Sequence, residues 1–437
     1  MKKALILTYF FPPANSVAAF RAWSWAKHFK KHGIYPVIIT RHWAGNENGW
    51  NDLLVHHEGD LSHEKYDDYE VFRLPSSKLP ILRFFGKSLM KFNIFSKAMY
   101  FFLHYFGYLN IITDGDSSFR PFLKKHLQNN HYDVIIATSP PLNLIRLAAY
   151  LHKKFKIPFV IDHRDLWNND YLKEDYQPGG LWGFLEKRTL YWLKKWLKDA
   201  LFCSTVSQPI ADKLGIVFEQ QREVVQNGYD DDIFKVLVKE QQSHFSIALS
   251  GTYYPQQDLN LMIDGLLLFL KGKSPDEVKI SFIGLTANGV VSDLFKKKIP
   301  EEFTEWTDRV AMKQAMQKVK NAHVLLHSGW KGYKGVYTTK LFDYVASGNN
   351  ILLAPGDYDV MDDLINETGT GKIADSPESF AFIMNQWLED WKAGEIPYHG
   401  NENRNKYSRS YQAENMVSKL NLALDKRLLT DKEQGKS

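Results

Sequence analysis

The stretch YTTKLFDYVASG, residues 337–348, decides how this sequence is interpreted. Its two threonines can begin a helix and Gly348 can end it, and the apolar run ILLA at 351–354 then predicts a strand. Lys340 suits a phosphate, because unpaired backbone N–H groups and a full positive charge meet near a helix N-terminus. Asp343 lies on the same helix face and could accept hydrogen bonds from a ribose. Phosphate and ribose indicate a nucleotide, although the stretch alone also fits a surface helix with an internal ion pair.

The composition indicates a globular protein with more than one domain. The chain has 437 residues, 44% of them hydrophobic, and a net charge of +5. Its one cysteine, Cys203, excludes a disulfide framework and a cysteine-based zinc site, and we expect a reducing, cytoplasmic setting. The apolar run after Lys3 is too short for a signal peptide and predicts a first strand.

Short β-rich runs alternate with helical patterns, which predicts an α/β fold with parallel sheets and crossover helices. Two doubly wound domains would place their ligand crevice at the carboxyl ends of the strands, where the two halves face each other. Candidate strands lie at 4–8, 37–40, 134–138, 159–161, 201–206, 245–249, 278–284, 324–327 and 351–354. The predicted parts are an N-terminal domain (1–238), a C-terminal domain (239–405) that begins with a polar linker (239–244), a C-terminal helix (406–429) and a disordered tail (430–437).

Several loops that follow predicted strands carry candidate functional residues. The loop YFFPPANS at 9–16 could aim backbone N–H groups at an anion, or be an ordinary connection. The segment DHRDLW at 162–167 supplies an acid, a base and a cation, although pairing between its own aspartate and arginine could instead hold the loop. The turn GTYYPQQD at 251–258 begins with a glycine, which lets the backbone approach a ligand closely.

Three other patterns favour structural roles. The D-x-D patterns at 114–116 and 357–359 match a metal–diphosphate signature, but both lie near turn residues and favour solvated turns. The GTGK run at 369–372 lacks the first glycine and the Ser/Thr of a P-loop. We therefore predict no metal site.

The segment 71–113 contains six cations and no carboxylate, with aromatic residues interleaved. This pattern predicts an amphipathic segment that lies on an anionic membrane surface. Its uncharged run, residues 98–113, is too short and too polar to span a bilayer. The alternative is a pair of domain helices whose rings are buried, and nucleic acid is disfavoured because the flanking domains are not basic. Helical spacing separates a cationic face (Arg83, Lys87 and Lys91) from an aromatic face (Phe85 and Phe92).

Taken in order, these motifs resemble those of the family 4 glycosyltransferases of the GT-B fold, over nearly the whole chain. SPP at 139–141 and IDHRDLW at 161–167 look like segments of bacterial polysaccharide-forming members. NGYD at 227–230 resembles a landmark at the domain junction. GTYY at 251–254 and KLFDY at 340–344 resemble the "GT-x-Y" turn and the "KLFEY" motif.

The resemblance implies two Rossmann-like domains facing a central crevice, with a C-terminal helix that crosses back. It implies transfer of a sugar from a nucleotide diphosphate sugar to a lipid-linked or polysaccharide acceptor, with retention, no metal and no other cofactor, at the inner face of the cell membrane. The candidate catalytic residues are Arg164, Asp165 and His163. The candidate donor-binding residues are Lys340, Asp343, Thr339, Thr338, Lys334, Gly251, Thr252, Tyr254, Asn15 and Ser16. Ser139, Pro140 and Trp167 would lie on the acceptor side.

The sequence departs from the family pattern at donor positions. Gly335 stands where many members have the first glutamate of E-x7-E, and Asp343 replaces the second. Gln256 and Gln257 stand where an arginine often contacts the diphosphate, and Lys331 and Lys334, in the glycine-rich loop 329–335, could compensate. Two alternatives therefore stay open: a non-catalytic nucleotide-sugar-binding subunit of a polysaccharide assembly complex, and a sugar-nucleotide epimerase of the same fold.

Overall fold

A computed structural model of the chain describes residues 1–14, 16–43, 59–75, 118–177, 179–254, 257–287, 289–395 and 400–433. The chain divides into two compact α/β units. The first comprises Met1–Tyr171, Asp175–Val225 and Ala413–Ser437, and the second comprises Leu172–Glu174 and Gln226–Gln412.

The first unit is built on a sheet in which every pair of strands is parallel except one antiparallel pair at the edge. Its strands in the described residues are β1 (Lys2–Leu7), β2 (Ile34–Arg41), β3 (Ser62–Lys65), β4 (Glu70–Leu74), β5 (Val134–Ser139), β6 (Phe159–His163), β7 (Cys203–Thr205) and β8 (Arg222–Val224). The spatial order is β3-β4-β2-β1-β5-β6-β7-β8, and β3 is the antiparallel edge strand. All eight residues of β2 are buried, as expected for a strand covered on both faces.

Helices cover this sheet. They are α1 (Ala19–His28), α2 (Phe119–Asn129), α3 (Asn143–Phe155), α4 (Gly180–Leu197) and α5 (Gln208–Leu214). A 3-10 turn over Lys30–His32 follows α1, and Gly33 ends this helical stretch with φ of 90°. Glycine is favoured there because it adopts this left-handed conformation without a steric penalty.

The second unit contains a wholly parallel sheet. In chain order its elements are α6 (Asp231–Lys235), β9 (Phe245–Ser250), α7 (Asn260–Leu270), β10 (Val278–Ile283), α8 (Gly289–Lys298), β11 (Thr304–Thr307), α9 (Met312–Asn321), β12 (Val324–His327), α10 (Thr339–Ser347), β13 (Asn350–Leu353), α11 (Val360–Thr368), β14 (Gly371–Ile373) and α12 (Pro377–Lys392). The strand order is β11-β10-β9-β12-β13-β14. The four apolar runs predicted as strands in this half are β9, β10, β12 and β13, and all their residues are buried except Lys279 and Ser281 of β10.

The second unit begins earlier in the chain than the polar stretch at 239–244. Tyr229 and Leu237 are buried in its hydrophobic core. Within the polar stretch, Lys239 donates a 2.8 Å hydrogen bond to the Asn349 side chain, so these residues are docked onto the unit. The polar composition of 239–244 did not locate the boundary between the two units, because polar side chains here form hydrogen bonds with the second unit.

The C-terminal helix α13 (Arg409–Glu433) belongs mainly to the first unit, from Ala413 onwards. Met416, Leu420 and Leu424 lie in the same buried cluster as residues of β1 and α1. Its helical spacing was predicted, and the helix continues through 430–433, which the prediction assigned to the tail.

In each sheet the chain changes direction between two neighbouring strands. In the first unit this switch lies between β1 and β5, and in the second between β9 and β12. Connections leave these two strands towards opposite faces, which opens a crevice at their carboxyl ends where doubly wound proteins bind ligands. Residues that follow these four strands are therefore the first candidates for function.

The basic aromatic segment 71–113 is described only at its start. Residues 71–74 lie in β4, between β2 and β3. Arg83, Lys87, Lys91, Phe85 and Phe92 lie outside the described residues, so their membrane-facing role stays a prediction. Among the helices the structure describes, none combines the length and apolar character needed to cross a membrane.

Candidate functional site

The second unit brings most of the predicted donor-binding residues to the N-terminus of α10, beside the switch between β9 and β12. Thr338 precedes the helix in an extended conformation, and Gly348 ends it with φ of 76°. The Thr338 hydroxyl lies 2.7 Å from His327 Nε2 and makes no capping bond to the helix. The N–H groups of the first turn, beginning at Thr339, therefore have no side-chain cap and suit an anion.

Lys340 lies against the turn that follows β9. Its ammonium nitrogen is 3.8 Å from the centroid of the Tyr253 ring and donates a hydrogen bond to the Thr252 carbonyl. A Cβ atom on Gly251 would lie 2.9 Å from Lys340 Cδ, so the absent side chain makes room for the lysine. Burial lowers the pKa of Lys340 to about 7. The chain thus holds a desolvated cation at the predicted phosphate position.

Buried tyrosines fix the geometry around this lysine. Tyr344 accepts a 2.8 Å hydrogen bond from the Ser250 N–H, which joins α10 to the end of β9. The Tyr253 hydroxyl donates to the Leu326 carbonyl at 2.8 Å and lies 3.2 Å from His327 Nδ1. Burial holds the pKa of His327 well below its usual value, so its imidazole is neutral. The ends of β9, β12 and α10 are therefore locked together.

His327 was not a predicted site residue. The sequence signal was a polar residue that ends the otherwise apolar strand VLLH at 324–327. Both of its ring nitrogens lie close to hydroxyls, those of Tyr253 and Thr338. His327 is thus a positioning residue for the turn after β9 and for the start of α10, which carries Lys340.

Asp343 lies one turn after Lys340, but in the described part of the chain the two do not form the internal ion pair that was the alternative interpretation. Burial raises the pKa of Asp343 to about 7, opposed by Arg409 and reinforced by Asp230. Arg409 and Asp230 form an ion pair with each other, with 3.2 Å between a guanidinium nitrogen and a carboxylate oxygen. Lys340 and Asp343 are thus not neutralised by each other, and both charged groups remain available to a ligand.

The other predicted donor residues are held by separate contacts. Tyr254 packs on Trp330 with ring centroids 5.6 Å apart. The Lys334 ammonium lies 3.6 Å from a Glu174 carboxylate oxygen and 3.3 Å from the Tyr358 carbonyl. The Lys331 ammonium lies 4.0 Å from an Asp258 carboxylate oxygen. Both cations proposed to compensate for the missing arginine are therefore already paired with carboxylates.

Two of the positions where the sequence departs from the family pattern, Gln257 and Gly335, serve the backbone, and Gln256 lies outside the described residues. Gln257 is buried; its side-chain nitrogen donates to the Ser328 carbonyl at 2.9 Å, and its oxygen accepts from the Tyr254 N–H at 3.1 Å. Gly335 has φ of 79°, and its N–H donates to the Asp359 carboxylate. These residues shape the loops after β9 and β12 without supplying a charge.

In the first unit, the segment 162–167 divides between structural and accessible groups. Asp162 is fully buried and accepts hydrogen bonds of 2.7 and 2.6 Å from Arg21, and of 2.7 Å from Ser204. Arg164 pairs with the adjacent Asp165, and its Nε donates a 2.8 Å hydrogen bond to the Asp165 carboxylate. The sequence analysis offered this Asp–Arg pairing as the alternative to a catalytic role. The Asp165 side chain is nevertheless 44% exposed.

The predicted acceptor-side residues are tied to the same loop. The Ser139 carbonyl accepts a 3.1 Å hydrogen bond from the Arg164 N–H, which joins the end of β5, just before Pro140, to the loop after β6. The Trp167 indole donates to Glu186 on α4 at 2.6 Å. Ser139, Pro140, Arg164 and Trp167 thus belong to one connected group of loops.

Three buried polar side chains stand side by side at the carboxyl ends of β5, β6 and β7. The parallel register pairs Ser139 with His163 and His163 with Thr205. Within the described residues, neither hydroxyl and neither ring nitrogen of the histidine has a hydrogen-bond partner. Burial lowers the pKa of His163 to about 4, so its imidazole is neutral. Thr205 was not predicted, because only the strand register brings it beside His163.

The remaining candidates have local roles or lie outside the description. The Ser16 hydroxyl accepts from the Ala18 N–H at 3.3 Å, at the start of α1, and Asn15 is not described. The Asp357 carboxylate accepts hydrogen bonds from the N–H groups of Asp359, Met361 and Asp362, and so stabilises the turn that leads into α11. Among the residues that can be described, no three His, Cys, Asp or Glu side chains cluster as a metal site.

Comparison with known proteins shows the fold. No protein-family model and no curated protein matches the sequence. Sucrose-phosphate synthase from Thermosynechococcus elongatus is similar over 100% of both chains, with 12% identity and a TM-score of 0.55. Anabaena HepE in complex with UDP and glucose matches 96% of this chain and 99% of its own, with 12% identity and a TM-score of 0.57.

A third similar structure is described as "Trehalose-6-phosphate from E. coli bound with UDP-2-fluoro glucose". It has 13% identity and a TM-score of 0.58, over 96% of this chain and 99% of that one. Together with the two parallel-sheet units, these likenesses over the whole chain identify the GT-B fold, as the sequence motifs implied.

Proposed function

We propose that this protein is a glycosyltransferase that moves a sugar from a nucleotide diphosphate sugar to an acceptor. The observation that carries the proposal is the packing of Lys340 against Gly251 and Tyr253, at the switch point of the second sheet. A desolvated ammonium group beside an uncapped helix N-terminus has the chemistry that a diphosphate needs. The bound UDP and UDP-sugar analogue of the similar structures support the same ligand class here.

In this proposal the donor lies along the N-terminus of α10. Lys340 and the N–H groups that start at Thr338 and Thr339 bind the diphosphate, and Asp343 binds the ribose. The Gly251–Thr252 turn borders the phosphates and the sugar, and Tyr254 forms an aromatic wall with Trp330. Asp343 has a pKa of about 7, so it can both donate and accept a hydrogen bond to a diol near neutral pH.

The first unit would bind the acceptor. Ser139, Pro140 and Trp167 lie on connected loops, and Arg164 and Asp165 offer a cation and a partly exposed carboxylate there. His163 is fully buried beside Ser139 and Thr205, so it would not contact the acceptor directly. We propose a lipid-linked or polysaccharide acceptor at the inner face of the cell membrane, and transfer with retention, without a metal or other cofactor.

A donor panel followed by a transfer assay tests the proposal. Thermal-shift measurements with UDP-, GDP-, ADP- and dTDP-sugars should identify at least one that stabilises the protein. That donor, incubated with a membrane extract, should yield a glycosylated product whose linkage keeps the donor's anomeric configuration, with and without EDTA. If no donor stabilises the protein and no product forms, the proposal is wrong.

A second candidate is a nucleotide-sugar-binding protein without catalytic activity. The use of Gln257 and Gly335 as backbone supports, at positions where the family places charged groups, favours it. Donor binding without transfer or hydrolysis, across the same panel and extracts, would select this candidate. Measurable turnover would reject it.

A further inference from the structure

The helix α4 carries an exposed stripe with an unusual composition. Phe184 and Tyr191 are 53% and 60% exposed, large values for aromatic residues. The opposite face of the helix is buried, including Leu193, Trp196 and Leu197. Six exposed residues fall at positions i, i+3, i+7, i+10, i+11 and i+14, a spacing that follows one face of a helix. We call this face the α4 stripe, and it consists of Phe184, Lys187, Tyr191, Lys194, Lys195 and Lys198.

The α4 stripe contains no carboxylate. The one acidic residue of α4, Glu186, is buried on the other side and accepts a hydrogen bond from Trp167. Within the described residues, none of the four stripe lysines forms an ion pair with an acidic side chain. Asp199, just beyond the stripe, is the nearest exposed acid in the sequence. The stripe therefore presents uncompensated positive charge beside exposed aromatic rings.

Two neighbouring helices extend this charge. The helices α2, α3 and α4 together contain ten lysines and arginines, and Glu186 is their only acidic residue. On α2 and α3, the Arg120 guanidinium lies 4.1 Å from the Tyr150 ring centroid, with Lys124 at 5.8 Å from the same centroid. The connections from β4 to β5, β5 to β6 and β6 to β7 run in one direction along the sheet, so right-handed crossovers place all three helices on one face.

We propose that this face of the first unit docks on an anionic lipid bilayer, with the α4 stripe as its contact line. Lysines attract anionic headgroups, and half-exposed aromatic rings partition into the interfacial region of a membrane. The aromatic pair favours lipid over duplex nucleic acid, which binds through its phosphate charge and does not need exposed rings. The inference deepens the membrane location in the proposed function and rests on it, but it does not depend on transfer activity.

Flotation with vesicles tests the docking face. Vesicles of phosphatidylcholine with about a third phosphatidylglycerol should carry the full-length protein upwards, and pure phosphatidylcholine vesicles should not. Replacing the four stripe lysines with glutamine should weaken binding at least about tenfold, since each lysine near an anionic surface contributes to the attraction. Phe184→Ser with Tyr191→Ser should lower the binding that persists at high salt.

A matched control carries the same change of charge elsewhere. Lys297, Lys298, Lys313 and Lys318 are exposed lysines of the second unit, and their glutamine variant should float like the wild type. Equal loss in both quadruple variants, or no flotation of the wild type, would overturn the inference. So would tighter binding to duplex DNA than to the anionic vesicles at equal salt.

Donor binding, measured on the same variants by thermal shift, separates this inference from the proposed function. A stripe variant that binds a nucleotide sugar normally but no longer floats supports both. A wild-type protein that binds the donor but never floats leaves the transferase proposal standing and removes the docking face.

Discussion

The ammonium nitrogen of Lys340 lies 3.8 Å from the centroid of the Tyr253 ring. A cation over an aromatic face is attracted by the ring's quadrupole, and more strongly when water is excluded. This contact partly offsets the burial that lowers the pKa of Lys340 to about 7. It also fixes the lysine against the turn after β9, because the tyrosine hydroxyl is anchored to the Leu326 carbonyl. Tyr253 thereby connects the motif of the "GT-x-Y" turn to the motif around Lys340.

Replacing Lys340 by methionine should abolish most donor binding without unfolding the protein. A charge-assisted hydrogen bond contributes roughly 1.5–3 kcal/mol, which corresponds to a loss of about 10- to 100-fold in affinity. The melting temperature should stay the same or rise, because a desolvated ammonium group is removed. Calorimetric titration with the best donor of the panel measures the affinity.

Lys313→Met is the matched control, because this lysine is exposed on α9 of the same unit and has no role in the proposed site. We expect its donor affinity to stay within about twofold of the wild type, as for an exposed charge in solvent. Equal affinity for the donor in Lys340→Met and the wild type would remove Lys340 from the diphosphate site.

Donor affinity should fall as the pH rises through about 7. With a pKa of about 7 in the free protein, Lys340 is mostly charged near pH 6 and mostly neutral near pH 8. An anionic diphosphate prefers the charged form, so affinity should decrease by up to about tenfold across this interval. A nucleotide diphosphate sugar is the right probe, because its diphosphate, unlike a terminal phosphate, does not titrate there.

The same titration on Lys340→Met should give a nearly flat profile. A wild-type affinity that instead increases with pH would contradict the assignment. It would mean that deprotonation of Asp343, whose pKa is also about 7, governs binding.

Local patterns explain why so much of the fold could be predicted. Apolar runs such as 324–327 and 351–354 are buried strands, and helix ends such as Gly33 and Gly348 carry the backbone conformation that glycine permits. These features depend on residues close together in the chain, and their signals are physical consequences of burial and of φ angles. The GT-B fold follows from their order.

The details of the site depend on partners far apart in the sequence. Arg21 and Asp162 are 141 positions apart, and Gln257 and Ser328 are 71 apart. Thr205 reaches His163 only through the register of two strands. The sequence therefore indicated candidate loops, but not which of their polar groups are taken up by internal contacts. The glutamine that replaces an arginine was predicted as a lost charge, and its structural use required the fold.

Gly251→Ala should impair donor binding more than its effect on stability implies. An alanine there must adopt φ of 73°, which costs about 1–2 kcal/mol, and its Cβ would lie 2.9 Å from Lys340 Cδ. The lysine side chain can move aside at little further cost, but this displaces its ammonium group. We expect a loss of about tenfold in donor affinity, since most of the charged contact would go.

Gly272→Ala provides the comparison, because Gly272 has φ of 74° and no atom within 4 Å of the added Cβ. Both variants should lose similar thermal stability, and Gly272→Ala should keep wild-type donor affinity. Indistinguishable affinities in the two variants would show that the contact with Lys340 has no part in binding.

Arg21→Met should destabilise the first unit strongly, by roughly 3–5 kcal/mol, because it leaves the buried Asp162 carboxylate without its cation. Arg164→Met removes the cation of another Arg–Asp pair, but the Asp165 side chain is 44% exposed, so its cost should stay below about 1 kcal/mol. Urea unfolding followed by tryptophan fluorescence measures both. Adding Asp162→Asn to Arg21→Met should recover part of the loss, since the unpaired charge disappears. Equal destabilisation by the two arginine variants would contradict the structural role of Asp162 and return it to the candidates for chemistry.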